Sequence, residues 1–127
     1  MVRHTLGDLQ HAIMKVLWAR GEATTADVHE ALLAGRGLAF TTIATMLRKM
    51  EDKGVVAHRA DGRQFVYHPR VSEAQVRRSM VGELLARLFE GDPKALVAHL
   101  VCEHEIDAAE LAELRRRLSA GRKRGRG

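Results

Sequence analysis

The sequence predicts a mostly α-helical chain with one small β-hairpin, arranged as two successive parts and a short tail. Composition is the first reason, since 46% of the 127 residues are hydrophobic but only 4% are aromatic, which favours helices packed through aliphatic side chains. Apolar residues also recur every three or four positions except around residues 55–67. Charge is uneven: residues 1–71 carry 10 basic and 7 acidic side chains, residues 72–114 carry 4 and 9, and residues 115–127 carry 7 and none.

Three helices are predicted before the hairpin. The first covers residues 8–20, the second begins at a Thr24-x-x-Asp27 capping box, and the third covers residues 40–53. The apolar stripes expected to face the core are Leu9, Ile13, Val16 and Leu17 in the first helix, Val28, Ala31 and Leu32 in the second, and Ile43, Met46, Leu47 and Met50 in the third. Trp18 is expected to pack rather than to bind a ligand.

The segment after the third helix reads as a hairpin. Residues 55–58 and 64–67 have strand character, and Asp61-Gly62 between them is a strong turn signal. Three short helices followed by a hairpin is the order of a winged helix-turn-helix. We therefore predict a winged-helix domain over residues 1–71.

A second helical domain is predicted over residues 72–119. Its helices begin at the capping boxes Ser72-x-x-Gln75 and Asp107-x-x-Glu110 and, between these, near Pro93. They have too few residues to enclose a core of their own, so we expect them to pair with the same helices of a second copy. The leucines expected at that dimer interface are Leu84, Leu88, Leu96, Leu100, Leu111, Leu114 and Leu118. Residues 120–127 are expected to form a disordered basic tail.

The third helix carries the candidate binding residues. Once its apolar stripe is removed, its exposed face offers hydroxyl and basic side chains: Thr41, Thr42, Thr45, Arg48 and Lys49. Such side chains read base edges in the major groove of double-stranded DNA. Arg59, Arg63 and Gln64 of the hairpin would meet the phosphate backbone or the minor groove. We therefore predict that double-stranded DNA is the partner.

Five stretches of the chain also serve as sequence motifs that can be compared with known families. They are Leu6-Gly7-Asp8-Leu9, Val28-His29-Glu30-Ala31-Leu32, Phe40-Thr41-Thr42-Ile43-Ala44-Thr45-Met46-Leu47, Phe65-Val66-Tyr67 and Glu110-Leu111-Ala112-Glu113-Leu114-Arg115. Together they resemble the BlaI/MecI/CopY family of bacterial repressors, the penicillinase repressor family. The resemblance implies a homodimer that binds a pseudo-palindromic operator and represses transcription, with Thr42 and Thr45 matching the recognition-helix threonines. Lys49 stands where the family usually has arginine, which replaces a bidentate guanine contact with a point charge.

The resemblance also implies how repression ends. Some family members are cleaved after a membrane-bound sensor metalloprotease is activated, and others bind copper through C-terminal Cys-x-Cys pairs. Cys102 is the single cysteine, so the copper motif is absent. The segment equivalent to the cleavage site carries His99-Leu100 in place of Asn-Phe. A membrane sensor peptidase is therefore a possible partner, although the chain itself is not expected to bind a membrane.

Metal or redox sensing is an alternative mode of release. His99 and Cys102 fall on one helix face at i, i+3 spacing, and His104 lies close by in sequence, so these three residues are candidate ligands for a thiophilic or borderline metal. The competing interpretation is an ordinary helix end with a buried thiol. We expect no metal and no cofactor.

Other functional classes find less support in the sequence. No catalytic Ser/His/Asp or Cys/His/Asn arrangement and no glycine-rich phosphate loop is present, so no enzyme activity and no catalytic residues are expected. A winged helix serving protein contacts is the alternative within the same fold, and it predicts binding without strong salt dependence. The absence of a long apolar stretch or a signal-peptide pattern leads us to expect a cytoplasmic protein.

Overall fold

The helices and strands follow the predicted order with one strand added. They are α1 Asp8–Arg20, β1 Ala23–Thr24, α2 Thr25–Arg36, α3 Phe40–Asp52, β2 Val56–Asp61, β3 Gln64–Pro69, α4 Glu73–Leu88, α5 Pro93–Glu103 and α6 Ala108–Gly125. This computed structural model describes residues 6–125, except for the side chains of residues 34–36 and 122–125. It divides into two compact units, the first ending at Val81 and the second beginning at Gly82.

Reciprocal hydrogen bonds confirm the capping boxes that the sequence predicts. At the start of α2 the Asp27 N–H donates to Thr24 Oγ1, and the Thr24 N–H donates to an Asp27 carboxylate oxygen, each at 3.1 Å. The same exchange joins Ser72 with Gln75 and Asp107 with Glu110. The hydrogen bonds from the backbone and side chain of Thr24 hold the pKa of Asp27 below its ordinary value of 3.8. The first helical turns are therefore satisfied by local side chains.

The sheet has three antiparallel strands in the order β1-β3-β2. In the hairpin Asp61 pairs with Gln64, so the loop consists of Gly62 and Arg63, one position later than the Asp61-Gly62 turn that the sequence suggested. Gly62 has a φ of 63°, which a two-residue hairpin loop requires at its first position and which glycine adopts without steric cost. The two-residue strand β1 was not predicted, since two residues cannot show alternation.

The core of the first unit lies between α1, α2, α3, the sheet and the beginning of α4. Its fully buried side chains are Ile13, Met14, Leu17, Val28, Ile43, Leu47, Met50, Val55, Val56 and Val76. Trp18 packs against this core, half-buried, and its indole N–H donates to the Val71 carbonyl at 2.9 Å. Val76 on α4 belongs to the same core, and this compact unit continues to Val81.

The second unit contains the end of α4 together with α5 and α6. Helix α6 continues to Gly125, so the backbone of residues 120–125 is helical where a disordered tail was expected. Extending a formed helix adds one hydrogen bond for each residue that it orders, which favours continuation through the arginine-rich end. Residues 126–127 of the predicted tail lie outside the described residues. Within residues 6–125, no helix combines the length and the apolar character needed to cross a bilayer.

Candidate nucleic-acid interface

Helix α3 has one buried face and one exposed face. Ile43, Leu47 and Met50 are buried and anchor the helix on the core. The five α3 residues predicted to bind DNA are all exposed: Thr41, Thr42, Thr45, Arg48 and Lys49. A helix anchored by one stripe presents the opposite side chains as a rigid surface, which is what base-edge recognition requires.

The beginning of α3 is electrostatically suited to an anion. Ala39 at the N-cap provides no side-chain hydrogen bond, and the first turn contains no acidic residue. The Ala39 carbonyl accepts the first α-helical hydrogen bond from the Ile43 N–H at 3.3 Å and a 3-10-type bond from the Thr42 N–H at 3.1 Å. The amides before Thr42 precede these bonds. The partial positive charge at this end therefore remains available to a phosphate.

The structure separates the three predicted wing residues. Arg63 lies in the hairpin loop with Gln64 beside it, and both are exposed. Arg59 lies farther along β2, opposite Val66, and its guanidinium forms an ion pair with Glu22 at 3.0 Å. Both partners of that pair are about half exposed, at 54% and 53%, so it adds little stability. The ion pair nevertheless occupies the Arg59 guanidinium. Arg63 is therefore the better placed of the two arginines to contact DNA.

A surface groove joins the wing tip to the helices. It has a volume of about 290 Å³ and lies between the beginnings of α2 and α3 and the hairpin loop. Its lining residues are Thr24, Thr25, Ala26, Phe40, Arg63, Gln64 and Phe65. The sequence did not predict this groove, because its walls come from segments far apart in the chain.

A second connection ties the wing to the end of α3. The His58 backbone N–H donates to the Glu51 carboxylate at 3.1 Å, and the His58 ring Nδ1 lies 2.6 Å from the same group. Tyr67 is buried next to this pair, and burial, reinforced by the charge of Glu51, raises the pKa of its hydroxyl. No periodic pattern in the sequence points to Glu51 or His58. The contact holds the wing against the end of α3.

The leucines predicted at a dimer interface are exposed or half-buried. Leu84, Leu88, Leu100, Leu114 and Leu118 are exposed, whereas Leu96 and Leu111 are half-buried. From residue 82 to residue 121 no side chain is buried. This part of the chain therefore lacks an apolar core within the single copy described.

The candidate metal ligands lie on and beside the end of α5. Cys102 is exposed, which corrects the expectation of a buried thiol. His99 contacts the Phe89 ring edge-on at 5.7 Å, and His104 caps the helix. Among the residues that the structure describes, no three histidine, cysteine or acidic side chains come together in a way that could hold a metal ion.

Comparisons with known proteins match most of the chain. Residues 6–120 match the family model described as penicillinase repressor. A transcriptional regulator BlaI of Mycobacterium tuberculosis is 36% identical over 116 residues, which cover 90% of this chain and 83% of that protein. A penicillinase repressor of Bacillus licheniformis is 28% identical over 109 residues, covering 86% and 85%.

A solved structure supports the fold independently. The solution structure of the DNA-binding domain of the repressor BlaI is 31% identical to this chain with a TM-score of 0.52. The match covers 58% of this chain and 89% of that domain. The predicted fold class, mostly helical with a small sheet and a winged helix, is therefore confirmed.

Proposed function

The chain belongs to the penicillinase repressor family of transcriptional repressors, and from that premise we propose that it acts as a homodimer on a pseudo-palindromic DNA operator. One observation carries the DNA-binding part of the proposal. The exposed face of α3 holds only hydroxyl and basic side chains from Thr41 to Lys49 and lies beside a wing with an exposed arginine. Thr42, Thr45 and Lys49 read base edges, and Arg63 contacts the phosphate backbone.

Sequence-specific binding can be tested directly with the full-length chain. Genomic footprinting locates the operator, and fluorescence anisotropy then compares the footprinted duplex with a scrambled duplex of the same composition. We expect binding to the operator to be at least about 10³-fold tighter at physiological salt, and to weaken steeply as salt rises. Equal affinity for both duplexes would contradict the proposal.

The dimer is supported by the apolar surface of the second unit. Leu88, Leu114 and Leu118 are more than half exposed in the single chain, and burying a leucine side chain contributes roughly 1.5–3 kcal/mol. Pairing with a second copy would recover that free energy. Sedimentation equilibrium should show a dimer for the natural chain and monomers for Leu114→Glu. A matched change at an exposed, non-leucine position of the same helix, Glu113→Gln, should leave the dimer intact.

Release is proposed to occur through the C-terminal helices, by proteolysis or by a ligand or metal. Both His99 and Leu100 are exposed, and both lie within α5, so a protease that binds extended substrates has to unwind this helix first. A membrane sensor peptidase is the partner proposed for this route. Co-expression with such a sensor, followed by induction, should yield a fragment ending near residue 99. An intact chain after induction, with the sensor shown to be active, would contradict cleavage.

A further inference from the structure

Two half-exposed phenylalanines line the groove beside the wing. Phe40 begins α3 and is 48% exposed, and Phe65 on β3 is 50% exposed. The chain has three phenylalanines, so most of its phenylalanine content lies at this one surface. Scattered apolar residues on a surface are ordinary, but here two aromatic rings line one groove of about 290 Å³ and together offer an apolar contact surface.

Each ring is braced by a histidine that is itself tethered. Phe40 meets the His29 ring edge-on at 5.8 Å, and His29 Nε2–H donates to a backbone carbonyl at 2.8 Å. Phe65 stacks on the His58 ring at 4.2 Å, and His58 is bound to the Glu51 carboxylate. Both rings are thus oriented before any ligand arrives, which reduces the entropy lost on binding.

Polar donors share the groove with the rings. Arg63 and Gln64 contribute from the wing tip, and Thr25 contributes from the first turn of α2. None of the residues lining the groove is acidic. The groove therefore combines apolar walls with a positive charge and hydrogen-bond donors, a pairing that suits a ligand with both an apolar ring and an anionic group.

We propose that this groove binds one sugar–phosphate strand of the operator, with its deoxyribose against Phe40 and Phe65 and its phosphate held by Arg63, Gln64 and Thr25. The inference rests on the proposed function, and it places α3 in the major groove and the wing tip at the edge of the adjacent minor groove. A single sugar–phosphate strand separates the two grooves of a duplex. Because the surface groove lies between α3 and the wing, that strand is its occupant.

The groove should discriminate between deoxyribose and ribose. Deoxyribose presents only carbon and hydrogen at its 2′ position, whereas ribose presents a hydroxyl. A hydroxyl pressed against two aromatic rings loses its water and gains no partner. One ribonucleotide at this position should therefore weaken binding about tenfold, and the groove selects deoxyribose.

The experiment uses the full-length chain and the footprinted operator duplex, with one ribonucleotide placed at each position in turn. We expect one or two adjacent positions in each half-site to weaken binding about tenfold. In Phe40→Ala the penalty at these positions should fall below about twofold. Leu33→Ala is the matched control, because Leu33 is 50% exposed on α2 and does not line the groove, and it should retain the full penalty.

The outcomes separate the groove assignment from the proposed function. If the natural chain binds the operator specifically but shows no ribose-sensitive position, the groove assignment is overturned and the proposed function stands. This part of the experiment needs no protein variant. Retention of the penalty in Phe40→Ala, and also in Phe65→Leu, overturns it as well. Replacing each thymine by uracil provides a further arm: a loss that depends on Phe40 would place the ring on a base methyl instead of a sugar. Equal binding to operator and scrambled DNA would remove the proposed function and this inference together.

Discussion

Arg63 and Arg59 provide a matched pair for testing which wing residue meets DNA. Each substitution by alanine removes one positive charge from the same hairpin, at positions four residues apart. Arg63 lies in the loop and lines the groove, whereas the Arg59 guanidinium is paired with Glu22 at 3.0 Å. We expect Arg63→Ala to remove a phosphate contact and Arg59→Ala to leave the phosphate contacts nearly unchanged.

The size of the effect follows from counterion release. Each phosphate contact contributes about 0.9 to the slope of log K against log salt, so a homodimer that loses two contacts changes its slope by about 1.8. Between 50 and 200 mM salt, this difference in slope corresponds to roughly twelvefold in affinity. The natural protein should therefore lose about twelvefold more affinity across that range than Arg63→Ala does. For Arg59→Ala we expect less than half of this change in slope.

Fluorescence anisotropy on the footprinted and scrambled duplexes, at four or more salt concentrations, measures both slopes. Arg63→Ala should weaken binding to the two duplexes alike, because a phosphate contact carries no sequence information. Equal slopes for the natural chain and Arg63→Ala would refute the assignment of Arg63. Equal changes of slope in the two variants would refute the role given to the ion pair with Glu22.

Three other predictions concern α3, α2 and the C-terminus. Thr45→Ala or Lys49→Ala should cost about 1–3 kcal/mol on the operator and relax one operator position, and equal losses on scrambled DNA would contradict a base contact. The pKa of Asp27 is lower in the folded chain than in the unfolded chain. The capping box therefore stabilises the fold at any pH above the unfolded-state pKa, and this stabilisation is lost as the pH falls through the folded-state pKa. Thermal denaturation of Asp27→Asn should accordingly show a smaller loss of stability on acidification than the natural chain. Deletion of residues 121–127 removes four basic side chains and should lower affinity and salt slope with operator preference intact, whereas an unchanged slope would show that this end does not touch DNA.

Local patterns account for most of what the sequence predicts correctly. Capping boxes connect residues three positions apart, so Thr24 with Asp27, for example, is visible in the sequence before any tertiary contact is known. The buried stripe of α3 is equally local, because helical periodicity sets which side chains share a face. Once the buried face of α3 was identified from its periodicity, the five residues of the candidate interface followed as its exposed face.

Contacts between distant segments account for what the sequence did not predict. Glu22 and Arg59 are 37 positions apart, and their ion pair depends on how β1 and β2 flank β3. The burial of Val76 likewise depends on the core that the first three helices and the sheet create. Such contacts follow from the completed fold, and no short sequence pattern encodes them.

We propose that two copies of this chain read a symmetric DNA sequence through α3. Selection from a pool of random duplexes with the full-length protein tests this proposal. We expect enrichment of two inverted half-sites whose centres lie one helical turn, about 10–10.5 base pairs, or a multiple of it apart. Enrichment of a single unrepeated half-site would contradict the dimer, and a pool without any enriched sequence would contradict sequence-specific repression.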